Sequence, residues 1–176
     1  MRHYYTENEL NALLKKMTVV VDTREQRNEH ILDWLERREL AYLKRKLAVG
    51  DYSAMLEGQT LESDVAIERK GGIDEIAGNF TAERDRFERE MLRGKANRTQ
   101  LFLLIENCSW QDITAHNYRS KMQPKALLAS LLSWQARFNL NIIFCGKEEA
   151  GTIIYSILYY SLREQLLRGG RAQWII

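Results

Sequence analysis

Three carboxylates stand where an apolar run gives way to charge: Asp22 after VVV, Asp51 in GDY, and Glu68 in VAIERK. In α/β proteins ligands and chemistry gather at such strand ends. Carboxylates brought together there repel one another unless a cation lies between them. Glu68 and Lys70 are two residues apart, so an extended strand projects both from one face and Arg69 from the other. An acid on one segment and an acid-x-lysine on another is the pattern of metal-dependent phosphodiester hydrolysis. Hard oxygen ligands suit Mg²⁺ or Mn²⁺. Such a metal helps make hydroxide from water and stabilises charge on a phosphorane-like transition state. A lysine on the same face can hold the attacking water or neutralise phosphate charge. The competing reading of each residue is structural. Glu68 and Lys70 can be a solvated ion pair, Asp74 a first-turn acid favoured by the helix dipole, and Asp22 a cap for the turn before Asn28.

The elements that would carry these residues follow from periodicity. ENELNALLKKM has helical spacing through Leu10, Leu13, Leu14 and Met17, and TVVVDTRE is a β-branched buried strand. Asn28 is the expected N-cap of a helix through NEHILDWLERREL, with Ile31, Leu32 and Leu35 on one face. AYLKRKL alternates as a half-buried strand, and Gly50 breaks it. YSAMLEG and SDVAIERK form a strand pair with a turn near Gly58. A short helix IDEIAGN follows Gly71-Gly72, and Thr81 is the expected N-cap of a second, TAERDRFEREMLRGKAN. QLFLLIEN is a buried strand, SWQDITAHNY a loop or weak helix, and Pro124 opens a helix through PKALLASLLSWQARFN. LNIIFCG is the last strand, and KEEAGTIIYSILYYSLREQLLRG a final helix that Gly169-Gly170 should end. The alternation predicts an α/β fold with a central mixed β-sheet flanked by helices.

Bulk properties narrow the function classes. The chain has 176 residues, 45% hydrophobic and 28% charged, which fits a globular domain with a sizeable core. Its net charge of +2, from 26 basic and 24 acidic residues, is too balanced to argue nucleic-acid binding without local clustering. Cys108 and Cys145 form no CxxC, and with His3, His30 and His116 they make no recognisable zinc spacing. They read as packing thiols of a reducing compartment. No signal-peptide pattern opens the chain, and GTIIYSILYYSL is too short and too tyrosine-rich to span a membrane. A cytoplasmic protein is expected.

VVVDTREQ, GDY and IERKGGID together resemble the nuclease domain of the XPF-type structure-selective endonucleases. The family signature is a strand xVDxRE, then GD, then ERKxxxD. Its counterparts here are Val21-Asp22-Thr23-Arg24-Glu25, Gly50-Asp51, and Glu68-Arg69-Lys70 with Asp74. Phe80 to Glu90 is similar to the family's arginine-bearing helix, with Arg86 before Phe87. LFLLIEN and PKALLASLLSWQARFNLNIIFC are similar to its later elements, so the likeness runs from about 18 to 165. The resemblance implies a restriction-endonuclease-like core within one nuclease domain over 1–176: a leading helix at 1–17, a core at 18–168 and a tail at 169–176. It implies Asp51 and Glu68 as main metal ligands, the carbonyl of Arg69 nearby, Asp22 completing or supporting the metal site, and Lys70 as catalytic lysine. Arg24, Glu25, Arg69 and Asp74 would support the centre or position DNA. Arg86 would contact phosphate or hold the carboxylates, although its acid–base surroundings suit a solvated helix equally. Family members that cut branched DNA usually carry a tandem helix-hairpin-helix module after this domain. Here only RAQWII follows Gly170, which leaves substrate selection to the nuclease face, the N-terminal helix or a partner.

Lys44, Arg45 and Lys46 precede Gly50-Asp51 and could steer DNA toward the metal; equally, they could be lysines blunting an edge strand. Arg93 and Lys95 form a second candidate DNA contact, and Arg119, Lys121 and Lys125 a third basic stretch. The final helix is apolar on more than one face, through Ile153, Ile154, Tyr155, Ile157, Leu158, Tyr159, Tyr160 and Leu162. Members of the resembled family dimerise through their final helices, and a homodimer is expected. The leading expectation is therefore a Mg²⁺- or Mn²⁺-dependent DNA endonuclease acting on branched, flap or single-strand-containing DNA. Its rivals are a catalytically silent DNA-binding or scaffold subunit, and a ribonuclease or restriction-type nuclease.

Overall fold

The computed structural model describes residues 5–56 and 61–172, with side chains described through 168. The expected turn at Gly58 lies outside the described residues. Six strands form one mixed sheet: β1 (Met17–Val21), β2 (Tyr42–Lys44), β3 (Tyr52–Leu56), β4 (Val65–Lys70), β5 (Gln100–Glu106) and β6 (Asn141–Cys145). Their order is β2-β1-β3-β4-β5-β6. β3 is antiparallel to both β1 and β4, whereas β2 and β1 are parallel, as are β4, β5 and β6. One edge of the sheet therefore collects the amino end of β3 and the carboxyl ends of the other five strands. Asp22, Asp51, Lys70, Glu106 and the residues after Cys145 all emerge there.

Helices cover both faces: α1 (Glu7–Leu14), α2 (Glu29–Glu36), α3 (Ile73–Phe80), α4 (Arg84–Ala96), α5 (Trp110–Thr114), α6 (Pro124–Phe138) and α7 (Ala150–Ala172). One core joins α1, α2 and α7 to Val19, Val21, Tyr52, Ile67 and Leu104. The other joins α3 to α6 to Ala66, Leu103 and Ile105, around an aromatic cluster of Phe80, Phe87 and Trp134. With both faces covered, all five residues of β1 are buried, which is why it reads as a continuous apolar run. Gly151 lets α7 lie against α2, because a Cβ there would meet Trp34 Cγ at 2.6 Å.

Several local expectations change. Met17 belongs to β1, and α1 starts at a capping box in which Thr6 and Glu9 bond each other's backbone N–H. Asn28 precedes α2 but makes no side-chain cap; it is buried and its Nδ2 donates to the Tyr52 hydroxyl at 3.0 Å. Thr81 closes α3 instead of opening α4, since its hydroxyl donates to the carbonyls of Ala77 and Gly78. α7 continues through Gly169-Gly170 to Ala172. Glycine weakens a helix but, unlike proline, keeps its N–H in the ladder, and Leu158, Leu162 and Leu166 anchor the helix before that point. Burial pushes the thiols of Cys108 and Cys145 up to about 11, in keeping with packing roles, although Cys145 is only partly buried. No described helix is long and apolar enough to cross a membrane.

Candidate active site

Gly50 sets the position of Asp51. Its φ of +73° is left-handed, and a Cβ there would come within 3.0 Å of the Ile67 carbonyl. The turn seats Asp51 between the ends of β1 and β4. Its N–H donates to Ile67 O at 2.8 Å, and its carbonyl accepts from Asp22 N at 2.7 Å. The backbone N–H of Arg69 then donates to Asp51 Oδ2 at 2.8 Å. Asp51 Oδ1 receives no hydrogen bond among the described residues.

The alternation of β4 does the rest. Val65, Ile67 and Arg69 face α2 and α7; Ala66, Glu68 and Lys70 face the α3–α6 layer. Glu68 and Lys70 are 5% and 7% exposed, and Lys70 Nζ lies 2.6 Å from Glu68 Oε1 and 5.2 Å from the centre of the Phe87 ring. Glu68 Oε2 is buried with no hydrogen-bond partner. Burial, and then the charge of Glu68, hold the Asp51 carboxyl well above its ordinary range. Burial raises Glu68 too, with Lys70 opposing and Glu90 adding to the rise. Burial works against the charge on Lys70, but Glu68, Asp51 and Glu75 outweigh it and hold the ammonium protonated. The pair of carboxylates is thus short of positive charge, and Glu68 Oε2 is buried without a partner among the described residues.

Asp22 is already well supplied with donors. It is fully buried, and both oxygens are saturated: Oδ1 accepts from Arg24 N and Nε at 2.8 and 2.7 Å, Oδ2 from Arg24 Nη2 at 3.0 Å and Leu47 N at 2.6 Å. Burial opposes its ionisation, yet these bonds lower its pKa. Among the described residues no group of three or more His, Cys, Asp or Glu side chains is arranged to hold a metal. Of the expected trio of Asp22, Asp51 and Glu68, Asp22 has its acceptor sites taken by Arg24 and the loop before Val49, whereas Glu68 keeps one open among the described residues.

On the opposite face, Arg69 makes a bidentate pair with Glu106 at 2.6 and 2.7 Å and reaches Glu25 at 2.8 Å. His30 Nε2 lies 2.8 Å from the same Glu106 carboxylate. Burial disfavours the Glu106 anion, but Arg69 and His30 pull its pKa below the ordinary value; burial dominates at Glu25 and raises it.

The remaining expected residues scatter. Asp74 turns away from the carboxylates and clamps a loop, accepting from Arg119 N, Ser120 N and Arg119 Nε. Its neighbour Glu75 comes closer, 3.7 Å from Lys70 Nζ and bonded to Gly71 N. Arg86 is exposed and pairs with Glu83 at 3.6 Å, holding none of the carboxylates; the buried residue of that turn is Phe87. Lys44, Arg45 and Lys46 are exposed at the functional end, since Lys44 pairs in register with Val21, and Arg45 also bonds Glu62. Arg93 and Lys95 are exposed in the last turns of α4, and Lys95 bonds the carbonyl of Arg137. That helix end leads into Gln100, which pairs with Val65, roughly 17 Å of strand from Lys70.

Glu106, His30, Glu75 and Glu90 were not among the expected site residues. Glu106 carried the same signal as the others, an acid ending an apolar strand. Glu90 had none: it sits in a helix of alternating charge, and only tertiary packing brings its Oε1 to 3.4 Å from Gly50 N.

The model of the ERCC4 domain matches residues 21–157 of this chain. The chain belongs to the ERCC4-domain family. No curated protein matches it. Among solved structures, XPF from Aeropyrum pernix superposes with a TM-score of 0.63 at 20% identity, over 86% of this chain and 69% of that one. The same protein in complex with DNA gives a TM-score of 0.62 at 20% identity, over 84% and 66%. The restriction-endonuclease-like α/β core of the ERCC4 domain is thus present, and the family supports a role as DNA nuclease or DNA-binding protein.

Proposed function

We propose that this ERCC4 domain is a divalent-metal-dependent DNA endonuclease whose centre is Asp51, Glu68 and Lys70. The observation that carries the reading is the buried, unpartnered Oε2 of Glu68 beside a second desolvated carboxylate. Unrelieved, that arrangement is costly; a hard cation relieves it. The donors are all oxygen, which fits Mg²⁺ or Mn²⁺, and Asp51, Glu68 and the Arg69 carbonyl would hold it. When bound, the metal supplies polarisation of the phosphate and a more acidic water.

The chain's own residues do the remainder. Lys70, held protonated by its acidic neighbours, acts as a fixed positive charge at the scissile phosphate or on the attacking water, and not as a base. The Arg69 N–H fixes the Asp51 carboxylate. Arg69, Glu25 and Glu106 hold the end of β4 in place from behind. Asp22 and Arg24 fix the loop that carries Lys44, Arg45 and Lys46 toward the substrate. Asp74 supports the turn after β4 through residues 119 and 120, and the exposed Arg86 is left only a phosphate contact.

DNA is the favoured substrate because XPF from Aeropyrum pernix forms a complex with DNA. Branched, flap or single-strand-containing forms suit an edge-on site of this kind. The deciding experiment is a panel of labelled forks, flaps, single strands and duplexes with Mg²⁺ and with Mn²⁺. Cutting of at least one substrate, abolished by Asp51→Ala, is expected; no cutting of any overturns the reading. The exposed Tyr160, with half-buried Ile153, Ile157 and Tyr159 on α7, supports a homodimer through that helix. A monomer by light scattering at micromolar concentration would refute it.

A further inference from the structure

Beside the candidate centre, a cleft of about 520 Å³ crosses the ends of β4, β5 and β6. Gly71-Gly72 and the first turn of α3 border it, as do Asn107 and Lys147, with the Arg69–Glu106 pair among its lining. Every acid in the lining is engaged. Glu106 holds Arg69 and His30, Asp74 holds Arg119 and two backbone N–H groups, and Glu75 accepts from Gly71 N. Arg27 and Lys147 differ. Both are exposed, and neither side chain makes an ion pair or hydrogen bond among the described residues. The backbone is also approachable, since nothing lies within 4 Å of where a Cβ on Gly72 would stand. The first-turn N–H groups of α3 have no helical acceptor and add a partial positive charge.

Position decides what such a cleft is for. Lys147 follows β6, two strands from β4 in the sheet, and lies three residues beyond Phe144, which is level with Lys70 through Ile105, so its backbone is at least about 10 Å from that of Lys70 across the functional edge. Consecutive phosphates of one strand lie further apart in space than their axial rise of about 3.4 Å, so the gap spans about two nucleotides. We propose that the cleft binds a backbone phosphate of the substrate about two nucleotides from the scissile bond, with Arg27 and Lys147 supplying the charge. The proposal rests on the nuclease reading above and adds a position to it. With Lys44 and Lys46 at the other end of the same edge, the substrate strand would run along the whole edge, over the carboxylates at its middle.

The test is the salt dependence of binding by Arg27→Ala/Lys147→Ala. Labelled DNA is titrated without divalent metal, so that nothing is cut, between about 50 and 200 mM salt. The slope of log affinity against log salt should become shallower by about 1. Lys15→Ala/Lys16→Ala is the control, because it removes the same charge at the opposite end of β1; its slope should match the wild type. An unchanged slope in the first variant, or an equal fall in the control, overturns the cleft. Inorganic phosphate is titrated alone as well. Binding tighter than about 1 mM would mark a free-anion pocket and overturn the backbone assignment. Wild-type cleavage is followed in parallel. A wild type that cuts while the slope stays unchanged removes only the cleft, whereas one that neither binds nor cuts removes the nuclease reading as well.

Discussion

Arg69 and Lys70 are neighbours in sequence, and their side chains leave β4 in opposite directions into two kinds of charged site. Behind the sheet, Arg69 is gripped by Glu106 and Glu25, and Glu106 also meets His30. In front, Lys70 has Glu68 at 2.6 Å, but among the described residues Glu68 keeps a buried oxygen without a partner, and Asp51 is bonded through one oxygen only. Both clusters are largely buried and both mix acids with a base. Among the described residues, Glu106 has its charge partnered from two sides, whereas Glu68 has one buried oxygen without a partner. A satisfied buried network fixes the chain and has nothing left for a ligand. A half-satisfied one costs stability, and such a cost belongs at a binding or catalytic site.

The comparison can be broken most sharply at Lys70. Lys70→Ala should lower cleavage by about 10²–10³-fold or more while circular dichroism and melting stay close to the wild type; a comparable loss of fold would put Lys70 in the structural class with Arg69. Next in size is Glu106→Ala, which leaves Arg69 without its bidentate partner. Urea denaturation should report a loss of about 3–5 kcal/mol, and a loss under 1 kcal/mol would refute the structural assignment.

Glu106 should also titrate with the opposite sign to Asp51 and Glu68. The folded pKa values of Asp51 and Glu68 lie above their ordinary 3.8 and 4.5. Their contribution is complete below those ordinary values and is lost as pH rises through the folded ones. Without metal, Glu68→Gln should therefore gain on the wild type as pH rises. Added Mn²⁺ should raise the wild-type melting temperature more at neutral than at acid pH. Glu106 has a lowered pKa, so its contribution is present above its ordinary 4.5 and lost as pH falls. Glu106→Gln should lose on the wild type as pH rises. Parallel trends in the two variants would erase the distinction. The smallest effect is expected at Glu90, whose charge raises the Glu68 pKa from α4. Glu90→Gln should weaken Mn²⁺ binding by calorimetry a few-fold, about 1 kcal/mol or less, and unchanged affinity would remove Glu90 from the site.

Much of the frame was legible. β1, β4 and β5 announce themselves as apolar runs because both faces of the sheet are covered. The opposite orientations of Lys70 and Arg69 follow from strand alternation alone. The misreadings cluster at element ends. Thr81 has the right type to cap α4, but a hydroxyl can equally accept from the helix ahead or donate to the helix behind, and it closes α3. For Asp22, expected to complete or support the metal site, and Asp74, expected to support the centre or position DNA, residue type and spacing leave the bonding partners open. Which donors reach them first depends on Leu47 and Arg119, from segments that sequence spacing does not relate to them.

By itself, then, the sequence determined the strands, their charged ends and the face each charge takes, because these follow from the two-residue period of a strand and from which residues tolerate burial. Only the tertiary structure decided which carboxylates are saturated and which are left open. That depends on donors contributed by distant loops and helices: Leu47 to Asp22, Arg119 to Asp74, Arg69 to Glu106, and none to Oε2 of Glu68. Hydrogen-bond supply is short-ranged and set by packing, so no linear pattern of residue types encodes it.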